Sequence, residues 1–369
     1  MSSTRVLLVA QSLGAGGSER QLTEIAKALD RSQFDPRVAC FRPGGIRTQE
    51  LESAGVPVLS FPFTSLRSWQ ALHSLHQLKL YLREERIEIL HGFDPPANMF
   101  AVPVARLAGT PVVLSSQRSL RSLRSPRQRR VLRWTDRLVQ GTVVNSEAVR
   151  QALMKEDDIP FERIHLCRNG LNTNRFRPVL ARTPNHAPLI GSVCVLRPEK
   201  GLETLIHAFA VILRKYPLAR LRIIGSGPAE PELQSLSTKL NLKEACEFLP
   251  ATANVAEALQ EIDIFVLPSL SEAMSNSLME AMACGCCAVA SDVGGNPELV
   301  SDGSTGLLFR TGDEAHLASV LERLLADPAF QLTLGEAGCR RMHAEFTLEH
   351  SARTMGQIYD LHLKTNQKK

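Results

Sequence analysis

Short apolar segments rich in β-branched residues alternate with helical patterns along the whole chain. The first segment, RVLLVA at residues 5–10, precedes an apolar helical pattern that runs from Leu22 to Leu29. Such alternation is typical of parallel sheets whose crossover helices cover both faces, so it predicts an α/β fold with doubly wound parallel sheets. The expected strands lie at residues 5–10, 36–41, 56–61, 87–92, 110–116, 141–146, 221–228, 246–250, 264–268 and 286–291, with one more in LIGSV from residue 189.

The chain is long enough for two such sheets. It has 369 residues, of which 44% are hydrophobic and 22% are charged, as in ordinary globular proteins. Composition changes at the polar segment ARTPNHAP, residues 181–188, after which a new apolar strand begins. We therefore predict two Rossmann-like domains at residues 1–183 and 184–347, and a closing helical segment at 348–369.

The stretch from residue 263 to residue 300 has features suited to a phosphorylated ligand. It predicts a strand, a loop, a helix that begins near Ser275 or Asn276, and a second strand. The helix N-terminus offers unpaired backbone N–H groups to an anion, and Glu272 and Glu280 are suited to sugar or ribose hydroxyls. These features predict a nucleotide-sugar site. The alternative is a solvated loop glutamate and a glutamate that stabilises the helix dipole.

A glycine-rich loop follows the first predicted strand. Gly14, Gly16 and Gly17 can let the backbone approach a phosphate at the start of the next helix. A dinucleotide-binding fingerprint would need another glycine where the chain has Glu19. An NAD-dependent oxidoreductase is therefore only a remote alternative.

The residues around the two glutamates resemble a known enzyme family. Glu272, Leu278 and Glu280, followed by VGGNPELV, match the E-x7-E signature of the retaining glycosyltransferases of family 4. The resemblance implies the GT-B fold, in which two Rossmann-like domains face a central cleft. The first domain would bind the acceptor and the second the nucleotide sugar, and the closing helix would return to the first domain.

The resemblance also implies the residues of a donor site. Glu272 would orient the donor sugar as a catalytic residue, and Glu280 would bind the ribose. Other donor-binding residues would lie in three loops: Gly16, Gly17, Gly225, Ala273, Met274, Ser275 and Asn276. The family usually has glycine at position 273 and often proline at position 275, so the chain departs from the pattern at both.

Two cations are implied to stabilise the leaving diphosphate. Lys200 matches the family's lysine, whereas Val195 occupies the position of its usual arginine. Arg197 lies two residues later, on the same strand face if the strand persists, and would replace that arginine as a catalytic residue. Such cations can act without a metal ion, and the chain has no Asp-x-Asp, so we expect neither metal nor cofactor. The alternative is an ordinary surface turn, R-P-E-K.

Three residues at or just after the ends of predicted strands match positions at which the family binds its acceptor. They are His91, Asp94 and Arg118. Because they lie at the expected cleft end of the first domain, the resemblance implies contact with a lipid-linked or saccharide acceptor. A packed or solvated histidine is the alternative for His91.

Positive charge is concentrated in the first half of the chain. Residues 1–180 contain 26 lysines and arginines against 16 acidic residues, a net charge of +10, whereas the remainder has −5. Eight of the arginines lie between residues 118 and 137, and a helix after Pro126 would carry an apolar face with Val131, Trp134 and Leu138 beside arginines 129, 133 and 137. Such a helix suits an anionic membrane surface, and a solvated arginine face is the alternative. Nucleic acid is disfavoured because only Trp134 interleaves with these arginines.

Composition also predicts the compartment. No apolar run approaches the ~20 residues of a membrane span, and the apolar segment near the N-terminus is too short for a signal peptide. The eight cysteines are scattered through apolar contexts, and no further histidine or cysteine lies near Cys284-Gly-Cys-Cys287 in sequence to complete a metal site, so they are expected to be reduced core thiols. We therefore expect a cytoplasmic protein, peripheral on the inner face of the cell membrane.

Together these features predict a retaining, metal-independent hexosyltransferase. It would move a hexose or N-acetylhexosamine from a UDP- or GDP-sugar to a lipid-linked or saccharide acceptor, in cell-surface polysaccharide or glycolipid biosynthesis. A nonenzymatic sugar-nucleotide-binding or membrane scaffold of the same fold is the alternative, because Val195, Ala273 and Ser275 depart from the family pattern.

Overall fold

The computed structural model describes residues 3–63, 68–178 and 187–367. The chain divides into two compact units: Met1–Gly170 together with Leu348–Lys369, and Leu171–Thr347. The predicted boundary between residues 183 and 184 lies outside the described residues. Each unit contains one parallel sheet with its helices, which confirms the predicted doubly wound α/β fold.

The first unit is built on a seven-stranded sheet. The strands are β1 (Thr4–Ala10), β2 (Phe34–Cys40), β3 (Val58–Ser60), β4 (Ile89–Gly92), β5 (Val112–Gln117), β6 (Gly141–Val144) and β7 (Ile164–Leu166). Their spatial order is β3-β2-β1-β4-β5-β6-β7, so the direction of strand addition reverses between β1 and β4. Open α/β sheets bind ligands beyond the carboxyl ends of the strands at such a reversal.

Six helices connect these strands. They are α1 (Gly17–Ala28), α2 (Ile46–Ser53), α3 (Trp69–Glu84), α4 (Pro95–Ala108), α5 (Pro126–Asp136) and α6 (Glu147–Asp157). Several begin at residues whose side chains accept a hydrogen bond from the first turn: Ser68 caps α3, Asp94 caps α4, and Ser125 forms a capping box with Gln128. The central strands they cover, β1, β4, β5 and β6, are almost entirely buried, because helices lie on both faces of the sheet.

The second unit is built on a six-stranded parallel sheet. Its strands are β8 (Leu189–Val193), β9 (Arg220–Ile224), β10 (Cys246–Leu249), β11 (Ile264–Leu267), β12 (Cys287–Ser291) and β13 (Leu307–Phe309), in the order β10-β9-β8-β11-β12-β13. Its helices are α7 (Leu202–Lys215), α8 (Glu230–Lys239), α9 (Val255–Glu261), α10 (Asn276–Ala283), α11 (Asn296–Leu299), α12 (Glu314–Ala326) and α13 (Pro328–Glu345). Here the order reverses between β8 and β11.

The closing helix, α14 (Leu348–Gln367), belongs to the first unit. It packs along α1 and buries Met355 and Tyr359 in the core of that unit. The ring of Tyr359 meets Phe34 edge to face, with 5.7 Å between the ring centroids. A segment far along the sequence thus completes the first hydrophobic core.

The sequence analysis did not predict two of the observed strands. Both β7 and β13 contain only three residues, Ile164–Leu166 and Leu307–Phe309. Segments this short carry too little periodicity to distinguish a strand from a loop. They form because a longer neighbour, β6 or β12, offers them a ladder of backbone hydrogen bonds.

Candidate functional site

Two loops pack together at the carboxyl edge of the second sheet, where the strand order reverses between β8 and β11. The backbone N–H of Leu270 donates to the carbonyl of Glu199 at 2.9 Å. Gly201 has a φ of +61°, and a Cβ added there would lie 2.3 Å from the carbonyl oxygen of Pro268. Only glycine permits this approach, so Gly201 fixes one loop against the other.

These loops bring Lys200 and Glu272 into contact. Lys200 Nζ and Glu272 Oε1 form an ion pair, and Ser269 Oγ donates to the same oxygen at 3.0 Å. The Lys200 and Glu272 side chains are only 21% and 10% exposed. Burial by itself lowers the pKa of Lys200, but the attraction and hydrogen bond of Glu272 outweigh it, so the pKa is raised. Lys200 is therefore a charged ammonium held beside a carboxylate.

The helix predicted after Glu272 begins at Asn276. Ser275 Oγ accepts a hydrogen bond from the backbone N–H of Leu278 at 3.3 Å, so the serine found where the family often has proline caps α10. Ala273 is buried and has no positive φ, so a side chain is accommodated without backbone strain where the family usually has glycine. Met274 is buried as well. Neither departure disturbs the local fold.

Glu280 lies on α10, one turn beyond its N-terminus, and is only 3% exposed. Charged side chains are buried this deeply only when they are paired or hydrogen-bonded. A glutamate that only stabilised the helix dipole would be expected to remain exposed to solvent. The burial contradicts the interpretation of Glu280 as a solvated glutamate, and its contact with a ribose stays a prediction.

Glycines bring two further loops close to this edge. At Gly225, after β9, a Cβ would lie 1.9 Å from the carbonyl oxygen of Cys194. At Gly294, after β12, it would lie 1.8 Å from the carbonyl oxygen of Glu272. Both have positive φ, so no other residue fits easily at either position. Gly225 thus lets the loop after β9 pack closely against the loop after β8, and its contact with a donor stays a prediction.

The strand argument for Arg197 was wrong. Strand β8 ends at Val193, so Val195 and Arg197 do not share a strand face. Arg197 instead precedes a single 3₁₀ turn, Pro198–Lys200, and its side chain is 58% exposed, with Nη1 3.8 Å from Glu199 Oε1. Arg197 therefore lies on the surface, two loop residues from the buried part of the site.

In the first unit the glycine loop is covered by an acidic side chain. A Cβ added at Gly16 would lie 2.2 Å from Glu19 Oε2, and Ser12 Oγ donates to Glu19 Oε1 at 3.2 Å. Gly17 is the first residue of α1. Because a carboxylate over the loop repels a phosphate, donor contact by Gly16 and Gly17 requires Glu19 to move, and it stays a prediction.

His91, on β4, is completely buried. Its Nδ1 lies 2.9 Å from the hydroxyl of Tyr359, and its Nε2 lies 2.9 Å from Ser116 Oγ. Burial, with the positive charge of Arg118 and His362, lowers the pKa of His91 well below its usual value, so the ring is neutral. This geometry favours the packed-histidine alternative, in which His91 joins the sheet to the closing helix rather than contacting an acceptor directly.

Asp94 follows β4 and is bonded by two backbone groups. Its carboxylate accepts from the N–H of Gln11 at 2.6 Å and from that of Ala97 at 2.8 Å. Burial, to which the charge of Glu19 adds, outweighs these bonds and raises the pKa of Asp94 to about 6. The carboxylate therefore ties the loop after β1 to the start of α4.

Arg118 follows β5 and also makes contacts inside the unit. Its Nη1 donates to Asn169 Oδ1 at 2.7 Å, and its guanidinium carbon lies 5.0 Å from the centroid of the Phe93 ring. Burial lowers the pKa of Arg118. Contact of Asp94 or Arg118 with an acceptor stays a prediction.

Two arginines of the basic segment, one before α5 and one on it, make structural contacts and are therefore not simply solvated charges. Arg121 is buried and bonds Asp136 through two nitrogens at 2.7 and 2.9 Å, with Asp157 at 3.3 Å. Arg133 Nε lies 2.7 Å from Asp157 Oδ1. One exposed stripe along α5 and its C-cap carries both apolar and basic side chains, three or four residues apart. Its members are Arg127, Arg130, Val131, Trp134 and Arg137.

Two family models match the chain over most of its length. One, described as Glycosyltransferase Family 4, matches residues 15–175, and the other, described as Glycosyl transferases group 1, matches residues 179–341. The chain belongs to glycosyltransferase family 4. The resemblance read from the motif around Glu272 and Glu280 is thereby confirmed, and the two parallel sheets are those of the GT-B fold.

Individual relatives of this glycosyltransferase are distant. A D-inositol 3-phosphate glycosyltransferase of Streptomyces bingchenggensis is 30% identical over 59% of this chain, which spans only about half of that relative (52%). The lipopolysaccharide core biosynthesis glycosyltransferase LpsE of Rhizobium meliloti is 26% identical over 90% of this chain and 93% of its own length. The structure of Anabaena HepE with UDP and glucose covers 97% of this chain and 99% of its own, with a TM-score of 0.85 and 21% identity.

The sequence interpretation missed some polar residues of the site. Ser269, Ser291 and Asn296 are completely buried behind Glu272 and connected by hydrogen bonds. Serine and asparagine after a strand also signal ordinary turns, so their types alone give no indication of this arrangement. Among the described residues, no helix combines the length and the apolar character needed to cross a membrane.

Proposed function

We propose that this glycosyltransferase moves a hexose or N-acetylhexosamine, with retention, from a UDP- or GDP-sugar to a lipid-linked or saccharide acceptor. The main support is the mostly buried Lys200–Glu272 ion pair, which lies where the strand order reverses between β8 and β11. A cation and a carboxylate side by side suit the two partners of the reacting bond, the diphosphate and the sugar. The UDP and glucose of HepE support the donor class, and the name of LpsE supports a role in cell-surface polysaccharide or glycolipid biosynthesis.

Lys200 would stabilise the leaving diphosphate. Its ammonium has three N–H donors, so it can bond a phosphate oxygen while it still contacts Glu272. Negative charge on the diphosphate grows as the bond to the sugar breaks, so this interaction is stronger in the transition state than in the bound substrate. The exposed Arg197 would supply a second cation. With both in place, the reaction needs no metal ion or other cofactor.

The other donor contacts would come from α10 and its preceding loop. Backbone N–H groups of residues 273–276 would bind phosphate and sugar at the helix N-terminus. The buried Glu280 would accept hydrogen bonds from the ribose hydroxyls. Glu272 would accept one from a hydroxyl of the donor sugar and so orient it.

Retention follows from attack on the face from which the diphosphate leaves. The bond from the anomeric carbon to the phosphate oxygen breaks, and the acceptor oxygen forms a bond to that carbon on the same side. The acceptor's proton passes to the departing phosphate oxygen, so no protein nucleophile is needed. The acceptor would bind to the first unit beside Asp94 and Arg118, with His91 supporting the strand beneath them.

We also propose that the first unit binds an anionic membrane through α5. The exposed side chains of Trp134 and Val131 are apolar, at 52% and 41% exposure, and they alternate with the exposed Arg127, Arg130 and Arg137. An apolar stripe among cations suits the headgroup region of an anionic bilayer. The alternative, a solvated arginine face, would leave Trp134 without a role.

Nucleotide release from UDP-, GDP- and ADP-sugars, measured in EDTA with and without added saccharide acceptors, tests the proposed reaction. We expect release from sugars of one nucleotide class, UDP or GDP, undiminished by EDTA. Binding without release from any sugar would support the scaffold alternative. Release that is lost in EDTA and restored by Mg²⁺ or Mn²⁺ would contradict metal independence.

A further inference from the structure

Ser269 lies directly behind the carboxylate of Glu272. It is completely buried, and its hydroxyl donates to Glu272 Oε1 at 3.0 Å, the oxygen that also contacts Lys200. Within the described part of the chain, no hydrogen bond to Glu272 uses Oε2. The serine and the lysine thus fix one oxygen of the carboxylate and leave the other for a ligand.

Ser269 is in turn held by the end of the neighbouring strand. Ser291, the last residue of β12, donates from Oγ to the carbonyl oxygen of Ser269 at 2.6 Å. Asn296 Nδ2 donates to the carbonyl oxygen of Ser291 at 3.0 Å and lies 3.4 Å from its Oγ. All three residues are completely buried, so water does not compete for these bonds.

The backbone of Glu272 is fixed by the same segment. Gly294, between Ser291 and Asn296, has a φ of +57° and packs so closely that a Cβ there would lie 1.8 Å from the carbonyl oxygen of Glu272. The loop after β12 therefore holds the side chain of Glu272 through Ser269 and its main chain through Gly294. Such support from several directions keeps a reacting group in one position.

We infer that Ser269 is a positioning residue for Glu272, and that Ser291 and Asn296 hold Ser269 in place. This inference rests on the proposed function, in which Glu272 orients the donor sugar. Ser269 is fully buried behind the carboxylate and acts through it rather than by touching substrate. Its loss should therefore lower the rate of the bound complex and leave nucleotide affinity unchanged.

Ser269→Ala in the full-length chain tests the inference. At saturating donor, nucleotide release should fall about 10- to 100-fold with little change in KM or in nucleotide affinity, because a small displacement of a reacting group costs this much rate. Ser237→Ala removes the hydroxyl of another buried serine of the same unit, on α8, and should have little effect.

A double-mutant cycle separates positioning from general structural support. In a Glu272→Ala background, Ser269→Ala should cause no further loss, because the carboxylate that it positions is gone. Ser291→Ala removes the bond to the Ser269 carbonyl and the longer contact with Asn296 Nδ2. It should lower the rate less than Ser269→Ala does, should again cause no further loss in the Glu272→Ala background, and replaces Ser269→Ala in the test if that variant does not fold. Equal losses in both backgrounds, or wild-type rates for both variants, would overturn the inference. If the wild type releases no nucleotide from any sugar, it is the proposed function that fails.

Discussion

The two sheets carry a carboxylate at the same place but hold it in different ways. Glu272 follows β11 at the β8/β11 reversal, and its contacts are the side chains of Lys200 and Ser269. Asp94 follows β4 at the β1/β4 reversal, and its contacts are the backbone N–H groups of Gln11 and Ala97. Glu272 is bonded by the side chains of a lysine and a serine, whereas Asp94 is bonded by peptide N–H groups.

This difference is the one expected if the proposed function is correct, with Glu272 and Lys200 acting on the donor. A lysine can turn from a glutamate to a diphosphate with little movement of the backbone. The two N–H groups on Asp94 cannot leave it without breaking the start of α4 or the loop after β1. The same position in a doubly wound sheet thus holds a side-chain ion pair in the second unit and a backbone-bonded carboxyl group in the first.

The largest expected effect comes from removing the cation. Lys200→Ala should lower kcat by about 10²- to 10³-fold and raise KM less, because the lysine acts on charge that grows in the transition state. Lys215→Ala is the matched control, since it breaks an exposed lysine–glutamate pair with Glu322 in the same unit. A change in KM alone would indicate that Lys200 binds substrate and transition state equally.

Glu280→Ala should weaken nucleotide binding by about 1.5–3 kcal/mol, the usual cost of losing hydrogen bonds to a charged group. Isothermal titration with UDP and GDP measures it. Glu257→Ala removes an exposed first-turn glutamate of α9 and should leave affinity unchanged. Unchanged affinity in a normally folded Glu280→Ala protein would rule out the ribose contact.

Asp94 gives the first unit an unusual dependence on pH. Its pKa is raised from 3.8 to about 6, so the folded state binds more protons than the unfolded state between these values. Wild-type stability should therefore fall, relative to Asp94→Asn, as pH rises from about 4 to about 6. Denaturant unfolding at several pH values compares the two proteins.

Asp313 provides the control of opposite sign. It caps α12 in the second unit, and the backbone bond from His316 lowers the pKa of its carboxyl. The stability it contributes should be lost as pH falls below about 4 instead. If Asp94→Asn has the same pH dependence as the wild type, Asp94 does not titrate in this window.

The smallest effect per residue is expected on α5, where each arginine near an anionic surface is worth about 1 kcal/mol. Replacing Arg127, Arg130 and Arg137 with glutamine should abolish salt-sensitive co-sedimentation with anionic vesicles and leave nucleotide release intact. Replacing Arg214, Arg310 and Arg340 of the second unit makes the same change in charge and should leave binding intact. If the wild-type protein does not bind anionic vesicles at low salt, the exposed stripe of α5 is a solvated face.

The sequence was sufficient for features that depend on local pattern. Strand and helix periodicity predicted both sheets, and the spacing of Glu272 and Glu280 led to the family. It could not predict contacts made between distant segments. Lys200 and Glu272 were identified separately, but their ion pair depends on Gly201 packing against Pro268.

The same limit explains the corrections in the first unit. Arg121 was counted only as one of the eight arginines of the basic segment, because the sequence does not show that α5 and α6 bring Asp136 and Asp157 to it. The sequence likewise does not show that the N–H of Gln11 reaches Asp94 from another loop, and contact of Asp94 with an acceptor stays a prediction. Pairing across a fold decides whether a charged residue is available to a ligand.

The most direct test of the account is the rate of nucleotide release by Glu272→Gln at saturating donor. We predict a loss of about 100-fold or more with unchanged nucleotide affinity, since the amide cannot hold Lys200 or orient the sugar as a carboxylate does. Glu322→Gln is the matched control, because Glu322 pairs with Lys215 on the surface of the same unit. It should keep the wild-type rate. A Glu272→Gln protein that releases nucleotide as fast as the wild type would contradict the assignment of this edge as the active site.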